Sequence, residues 1–202
     1  MLDIARRWLF PVACLGCGRA HVALCLDCAP GPQAAMRLDL GGLHVDAIAP
    51  YEGLWRRAIV AFKGGERAYA AAFAEVMQAR APARAVVVPV TTTRRRAAAR
   101  GFDQAVELAR LYAAGRTADV LRKRRGPAQH GLGRKGRLDL RGRFDVREPA
   151  RVAGLSVLLV DDVCTTGATL RDAAWALRRA GAAVQGALVL ATPQRFGHVV
   201  VS

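Results

Sequence analysis

The sequence predicts an α/β fold in which helices flank a largely parallel sheet, with a small cysteine-containing segment in front of it. Segments with strand-like and helix-like patterns alternate from residue 43 onward, as in folds built from strand–helix–strand units. The 202 residues are 52% hydrophobic, which suffices for one well-buried core and a small appendage. We therefore expect a segment over 1–42, whose residues 29–42 form an irregular linker containing Pro and Gly, and a main domain over 43–202.

The first half of the main domain contains two predicted strands and two predicted helices. Alternating apolar residues predict a strand over 43–51. Helical spacing follows over 54–62 and 66–79, and the tripeptide Lys-Gly-Gly at 63–65 separates the two helices. The run AVVVPV at 85–90 predicts a short buried strand.

The second half continues the alternation. Residues 91–101 predict a basic loop or a frayed helix, and 102–112 have the apolar spacing of a helix. A buried strand is expected over 155–160, a helix over 168–181 and a final strand over 182–192. Because ligands of such sheets bind at the carboxyl ends of the strands, we expect the functional site there.

Residues 122–143 differ from the rest of the domain. Nine of them are Lys or Arg, five are Gly and one is acidic, so they bury little apolar surface. That composition predicts a mobile loop.

The net charge of +15 favours anionic partners. Nucleic acid, phosphorylated metabolites and a membrane surface all fit, and charge does not choose among them. No apolar run reaches the roughly 18 residues of a membrane span. The N-terminus resembles a signal peptide, but Pro11 interrupts its short apolar run and no A-x-A-like cleavage site follows. We expect a cytoplasmic protein.

Four of the five cysteines form two C-x2-C pairs, Cys14 with Cys17 and Cys25 with Cys28. Such pairs can supply four thiolates to one tetrahedral Zn2+, which would order a segment too short for its own core. Two disulfides or a redox C-x-x-C are the alternatives, although disulfides suit secreted chains and a redox pair belongs at a strand–helix junction. His21, between the pairs, is a further candidate ligand.

The stretch VLLVDDVCTTGATL at 157–170 combines features that suit one ligand. Asp161 and Asp162 end a predicted strand, and ionised carboxylates accept hydrogen bonds from a ribose diol. The following Thr/Gly cluster at 164–169 leads into a helix N-terminus, where backbone N–H groups and the helix dipole favour a phosphate. Together these features predict a ribose 5-phosphate ligand.

This stretch resembles the signature of type I phosphoribosyltransferases, in which four apolar residues, two acids and a turn ending in TGxT follow one another. The resemblance implies that Asp161 and Asp162 bind the ribose hydroxyls of phosphoribosyl pyrophosphate (PRPP). It also implies that its 5-phosphate is wrapped by Val163, Cys164, Thr165, Thr166, Gly167, Ala168 and Thr169.

The rest of the chain resembles the ComF/GntX group of these proteins. That group joins a four-cysteine N-terminal segment to the domain and has a Lys-Gly pair, here Lys63-Gly64, and a P-V-P…R-G-F-N-Q run. The latter corresponds to 89–104, where Thr91 and Asp103 depart from the group's pattern. Enzymes acting on 6-oxopurines carry Asp where this chain has Thr165, which disfavours a 6-oxopurine acceptor.

The resemblance implies displacement of pyrophosphate from PRPP by a nitrogen nucleophile, with Mg2+ bridging pyrophosphate and ribose oxygens. Residues 89–96 would hold the pyrophosphate, with Arg94–Arg96 or Arg100 nearby, and the loop 122–143 would close over the site. Neither the acceptor base nor a general base follows from the motifs.

Two other functions remain open from sequence. The ComF resemblance also implies a role in DNA uptake, with binding to single-stranded DNA and to DNA-uptake or recombination proteins. Basic runs fit that role, whereas the scarcity of aromatic residues among them does not. The third is a partner-docking module that uses the cysteine segment as its contact surface.

Overall fold

The structure is a computed structural model that describes residues 12–31, 34–81, 84–124 and 142–193. Its strands are β1 (Met36–Asp39), β2 (His44–Pro50), β3 (Val86–Pro89), β4 (Leu121–Lys123), β5 (Phe144–Val146), β6 (Ser156–Val163) and β7 (Ala183–Thr192). Its helices are α1 (Gly53–Lys63), α2 (Ala68–Arg80), α3 (Arg94–Arg100), α4 (Gln104–Ala113) and α5 (Ala168–Arg179).

Five strands form the central sheet in the order β1-β2-β7-β6-β3. The neighbouring strands β2, β7, β6 and β3 run parallel, and β1 pairs antiparallel with β2 at one edge. A separate antiparallel pair joins β4 to β5. This architecture confirms the predicted α/β fold with a largely parallel sheet flanked by helices.

Two apolar clusters cover the two faces of the sheet. One joins α1, α2 and α4 to the sheet, and Phe62, Phe73 and Leu108 in it are fully buried. The other contains the apolar side of α5 together with Leu121 and Phe144 from the small β4–β5 pair. Parallel strands buried on both faces explain the nearly continuous apolar runs in the first half of β6 and the second half of β7.

Three predictions need correction. Residues 29–42 are not an irregular linker throughout, because Met36–Asp39 pair with β2 as an edge strand. The strand predicted to end at 160 continues to Val163, so the two adjacent acids lie inside it. The loop predicted over 122–143 begins in strand, because Arg122 and Lys123 belong to β4, and β5 starts directly after it. Residues 125–141, which hold most of that loop, lie outside the described residues.

The remaining elements match the predictions within one to three residues, and 94–100 form a helix where a loop or a frayed helix was expected. In the part of the chain that the structure describes, no helix is long and apolar enough to cross a membrane.

Candidate functional site

The carboxyl ends of β3 and β6 meet at one cavity of about 160 Å³, which we call the diacid pocket. The two strands are parallel neighbours, so the residues that follow Pro89 and Val160 converge at the same edge of the sheet. Charged side chains line most of this cavity. They are the acids Asp103, Asp161 and Asp162 and the cations Lys63, Arg96, Arg100 and Lys123.

The two adjacent acids of β6 have different partners. Asp162 forms an ion pair with Lys63, with 3.1 Å between its Oδ2 and the lysine Nζ. Asp161 accepts a hydrogen bond of 2.8 Å from the backbone N–H of Asp162. Lys63 is the last residue of α1, so the end of that helix places a cation directly over the end of β6.

The environment of Asp161 disfavours its ionised form. Burial, followed by repulsion from the Asp162 carboxylate, raises the pKa of Asp161 well above its usual range, although Lys63 and Lys123 oppose the shift. Burial also lowers the pKa of Lys123, despite the opposing attraction of Asp161. Adjacent carboxylates in this setting are costly without a ligand, which is typical of functional sites.

The loop after β6 leaves a helix N-terminus open. Thr165 and Thr166 are exposed, and α5 begins after Gly167 with no side-chain cap from that residue. The Thr166 hydroxyl makes one long contact of 3.4 Å with the backbone nitrogen of Ala168. The first-turn N–H groups of a helix are a ready anion site, so this loop has the chemistry that a phosphate requires.

Gly167 is required by both its backbone and its surroundings. Its φ of +68° lies in the left-handed region, and a Cβ there would sit 2.1 Å from Cδ1 of Leu40. Leu40 follows β1, so the edge strand that the sequence did not predict packs against the loop and holds it in place.

The structure brings only some of the predicted ligand residues to the diacid pocket. Asp161, Asp162, Thr169, Lys63 and Arg100 line it. Six others lie outside its lining, at the end of β6, in the loop after it and at the start of α5; they are Val163, Cys164, Thr165, Thr166, Gly167 and Ala168. Burial raises the pKa of the Cys164 thiol to about 11, which favours the protonated thiol over the reactive thiolate.

The loop after β3 is held by side-chain hydrogen bonds on both sides. The Thr91 hydroxyl donates to the carbonyl of Leu121 at 3.1 Å. The backbone N–H of Thr92 donates to Oδ2 of Asp103 at 2.8 Å. Thr91 and Thr92 both line the diacid pocket, so these bonds fix the wall where pyrophosphate was expected.

Sequence reasoning missed two lining residues, Gln104 and Lys123. Arg100 donates a 2.9 Å hydrogen bond to Oε1 of Gln104. The available signal was the run at 89–104, because Gln104 is the last residue of the stretch that resembles R-G-F-N-Q. Lys123 lies in β4, which was read as loop, so its burial had no sequence signal.

The four cysteines of the N-terminal segment converge, with all sulfur atoms within 4.8 Å of one another. Sγ of Cys25 lies 3.6 Å from that of Cys14 and 3.7 Å from that of Cys17. Four sulfurs at the usual zinc–sulfur distance of about 2.3 Å from one ion would be about 3.8 Å apart. The thiols are free, so the alternative of two disulfides does not hold in this structure.

Burial opposes ionisation of Cys14, but backbone N–H groups of Cys17, Cys25 and Gly16 outweigh it and lower the pKa of that thiol to about 6. The spacing of the four sulfurs fits a metal such as zinc, which binds thiolates. Cys14 and Cys25 are also part of the apolar cluster that contains α1. The segment thus packs on the main domain and is not a separate appendage.

A larger cavity of about 1280 Å³ adjoins the diacid pocket, and we call it the basic cleft. The two cavities share Thr91, Thr92, Asp103 and Lys123. Six cations and three acids line the basic cleft. The cations are Arg94, Arg95, Arg122, Lys123, Arg124 and Arg147.

Comparisons with known proteins agree with this architecture. The phosphoribosyl transferase domain family matches residues 67–198. Over 56 residues, the chain is 46% identical to an orotate phosphoribosyltransferase from Pyrobaculum calidifontis, and the match covers 28% of this chain and 29% of that protein. The chain therefore spans under a third of the length of this relative.

Two solved structures are similar at low identity. The orotate phosphoribosyltransferase of Mycobacterium tuberculosis H37Rv, solved with Fe(III) dicitrate, is 22% identical, with a TM-score of 0.40 over 79% of this chain and 78% of that one. A structure titled as the allosteric regulatory enzyme of purine biosynthesis is 17% identical, with a TM-score of 0.42 over 62% and 25%. Because the family match spans well over half of the sequence, this chain belongs to the phosphoribosyl transferase domain family.

Proposed function

We propose that the chain binds PRPP with Mg2+ in the diacid pocket and transfers the phosphoribosyl group to a nitrogen nucleophile. One observation carries the proposal: a single cavity is lined by the Asp161–Asp162 pair, by Thr169 of α5, and by the Thr91–Thr92 loop. Those three elements match the three parts of PRPP, which are a diol, a 5-phosphate and a pyrophosphate.

The ribose would lie over the acids of β6. The carboxylates of Asp161 and Asp162 would accept hydrogen bonds from the two ribose hydroxyls. Lys63, already paired with Asp162, would keep that carboxylate oriented. The 5-phosphate would then reach the open N-terminus of α5 and the hydroxyls of Thr165, Thr166 and Thr169.

The pyrophosphate would lie against the β3 loop. Negative charge develops on it as the bond to ribose C1 breaks, and Arg96, Arg100 and Lys123 supply positive charge at that side of the pocket. Mg2+ bound together with PRPP would supply positive charge that offsets part of the charge on the departing pyrophosphate. The chain's own contribution is orientation and charge stabilisation, without a covalent nucleophile.

The test is pyrophosphate release from PRPP with a panel of nucleobases and amines. We expect release with at least one acceptor, and its loss in the double variant Asp161→Asn with Asp162→Asn. Isothermal titration with PRPP and Mg2+ separates binding from turnover. Absence of PRPP binding to the unmodified protein at millimolar concentration contradicts the proposal.

We also propose that the cysteine cluster holds a structural Zn2+, as in the ComF/GntX group that the chain resembles. Tetrahedral sulfur spacing and packing against the α1 cluster support it. One zinc per chain by atomic emission, with a large fall in melting temperature on chelation, is the expected result. A metal-free protein with an unchanged melting temperature refutes the zinc site.

A second candidate function is binding of single-stranded DNA, with a role in DNA uptake. The basic cleft supports it, since a phosphate backbone needs a row of cations. Binding that weakens steeply with salt and survives the Asp161→Asn, Asp162→Asn change would favour this candidate. Salt-independent or undetectable binding of a labelled oligonucleotide would exclude it.

A further inference from the structure

We propose that Gln104 is a pyrophosphate-binding residue, whose side-chain amide donates a hydrogen bond to an anionic oxygen of the leaving group. The inference rests on the proposed function and deepens it, because it assigns a contact to a residue outside the recognised motif at 157–170. Gln104 is the first residue of α4 and lines the diacid pocket.

The side chain of Gln104 is buried but incompletely hydrogen-bonded. Only 3% of the residue is exposed, and its Nε2 has no hydrogen-bond partner in the part of the chain that is described. An amide NH2 group carries two donors, and a buried donor without an acceptor destabilises a protein. Such a group at the wall of a ligand pocket requires a separate explanation.

The orientation of this amide is fixed by its neighbour. Arg100 donates at 2.9 Å to Oε1 of Gln104, and a guanidinium has no lone pair to accept a bond in return. The oxygen must therefore face Arg100, which leaves the nitrogen as the amide atom with hydrogen bonds still to donate. Arg100 and Gln104 thus act together: the guanidinium of Arg100 holds the amide of Gln104 in one orientation, and the amide adds its own N–H donors to those of Arg100.

The missing acceptor is best supplied by an anionic oxygen. Gln104 belongs to the same cavity as Arg96, Arg100 and Lys123, so a ligand beside it experiences positive charge. The acids of the pocket already have partners: Asp103 accepts from Thr92, and Asp162 pairs with Lys63. A pyrophosphate oxygen matches both the charge and the missing hydrogen bond.

The position in the fold favours the pyrophosphate over the 5-phosphate. Gln104 follows Asp103, which binds the backbone N–H of Thr92 in the β3 loop. The 5-phosphate is expected at the start of α5, a different helix that follows β6. Gln104 should therefore discriminate between PRPP and ribose 5-phosphate, which lacks the leaving group.

The test uses two variants of the full chain and two ligands. Gln104→Glu keeps the size of the side chain and an acceptor for Arg100, but it replaces the donor with an anionic oxygen. Gln104→Met keeps a similar shape and removes the donor without adding charge. Isothermal titration measures the Kd of PRPP with Mg2+ and the Kd of ribose 5-phosphate, and thermal melting confirms that each variant is folded.

We expect the Kd of PRPP to rise about tenfold or more for Gln104→Glu and by less for Gln104→Met. The Kd of ribose 5-phosphate should stay within about twofold for both variants. Equal changes for the two ligands, or an unchanged Kd of PRPP for Gln104→Glu, overturn the assignment while leaving PRPP binding intact. Failure of the unmodified protein to bind either ligand instead overturns the proposed function, and this inference with it.

Discussion

Helices α4 and α5 both begin at the diacid pocket, but only α4 has its first-turn N–H groups capped by the side chain of the residue before it. The carboxylate of Asp103 accepts hydrogen bonds from the backbone N–H groups of Ala105 and Val106, so α4 is capped by the protein itself. The residue before α5 is Gly167, which supplies no side-chain cap.

The difference shows where the chain retains binding capacity. An exposed helix start usually gains stability from a capping side chain. At α5 the first-turn N–H groups receive only one long side-chain contact, from Thr166 to the backbone nitrogen of Ala168, and a 5-phosphate is proposed to bind there. At α4 the donors are already used, so the proposed ligand contact comes from side chains such as Gln104 and Arg100. The start of α5 thus offers backbone donors to a ligand, whereas the start of α4 offers side-chain donors.

The largest effect is expected from Gly167→Ala, which disturbs the open helix start. The added Cβ would lie 2.1 Å from Leu40 and adopt a φ of +68°. We expect the free energy of unfolding to fall by about 2–4 kcal/mol, with loss of PRPP binding. Chemical denaturation and titration measure the two effects.

Gly181→Ala is the matched control. Its φ of +84° is similar, but the nearest atoms to a new Cβ, which belong to Ala153, are 3.6 Å away. Its free energy of unfolding should fall only by the cost of an alanine in the left-handed conformation, about 1–2 kcal/mol, and ligand binding should be kept. Equal losses in the two variants would show that the contact with Leu40 does not matter.

Asp161→Asn should separate stability from binding. The folded protein holds the Asp161 proton more tightly than the unfolded chain, so ionisation reduces stability as pH rises from the ordinary value of 3.8 through the raised folded pKa. At pH 7 the neutral variant should gain about 1 kcal/mol in free energy of unfolding, while PRPP binding weakens about 100-fold. The gain should shrink as pH falls toward 3.8. A variant that is less stable than the parent at pH 7 contradicts this account of Asp161.

Asp103→Ala removes the cap that distinguishes α4. Loss of the helix cap and of the Thr92 hydrogen bond should lower the free energy of unfolding by about 1–2 kcal/mol. Asp103→Asn, which keeps one acceptor oxygen, should recover most of the helix cap. If both variants lose the same stability, the carboxylate acts on α4 mainly through its charge.

Ala168→Asp should produce the smallest change and opposite signs in two measurements. A carboxylate in the first turn of α5 interacts favourably with the helix dipole, so the free protein should gain about 0.5 kcal/mol. The same charge would repel the 5-phosphate, so the Kd of PRPP should rise. The neutral Ala168→Asn is the control, and an unchanged Kd for Ala168→Asp would place the phosphate elsewhere.

Much of this fold could be predicted from sequence because its strands are buried on both faces. Continuous apolar runs identified β3, β6 and β7, and glycines marked the breaks between helices. Strand β1 was missed because it has only four residues and lies beside several Gly and Pro, and because its partner β2 follows in an antiparallel hairpin. Pairing across a hairpin depends on tertiary contact more than on local pattern.

In the candidate site, too, some residues could be predicted from a local sequence pattern and others depend on tertiary contact. The motif at 157–170 predicted which residues to inspect, and the structure places Asp161, Asp162 and Thr169 around one cavity with Lys63 and Arg100. Gln104 and Lys123 lie in stretches that the sequence singled out, but it assigned them no roles, because these depend on burial next to specific neighbours. Burial of a polar group is a property of packed elements and has no short sequence pattern.

The most direct test of the central claim is a crystal structure of the protein with PRPP and Mg2+. We expect the ribose hydroxyls on Asp161 and Asp162, the 5-phosphate at the start of α5 and the pyrophosphate beside the Thr91–Thr92 loop and Gln104. A crystal at saturating PRPP that shows the ligand elsewhere, or no ligand density over 161–169, would contradict it.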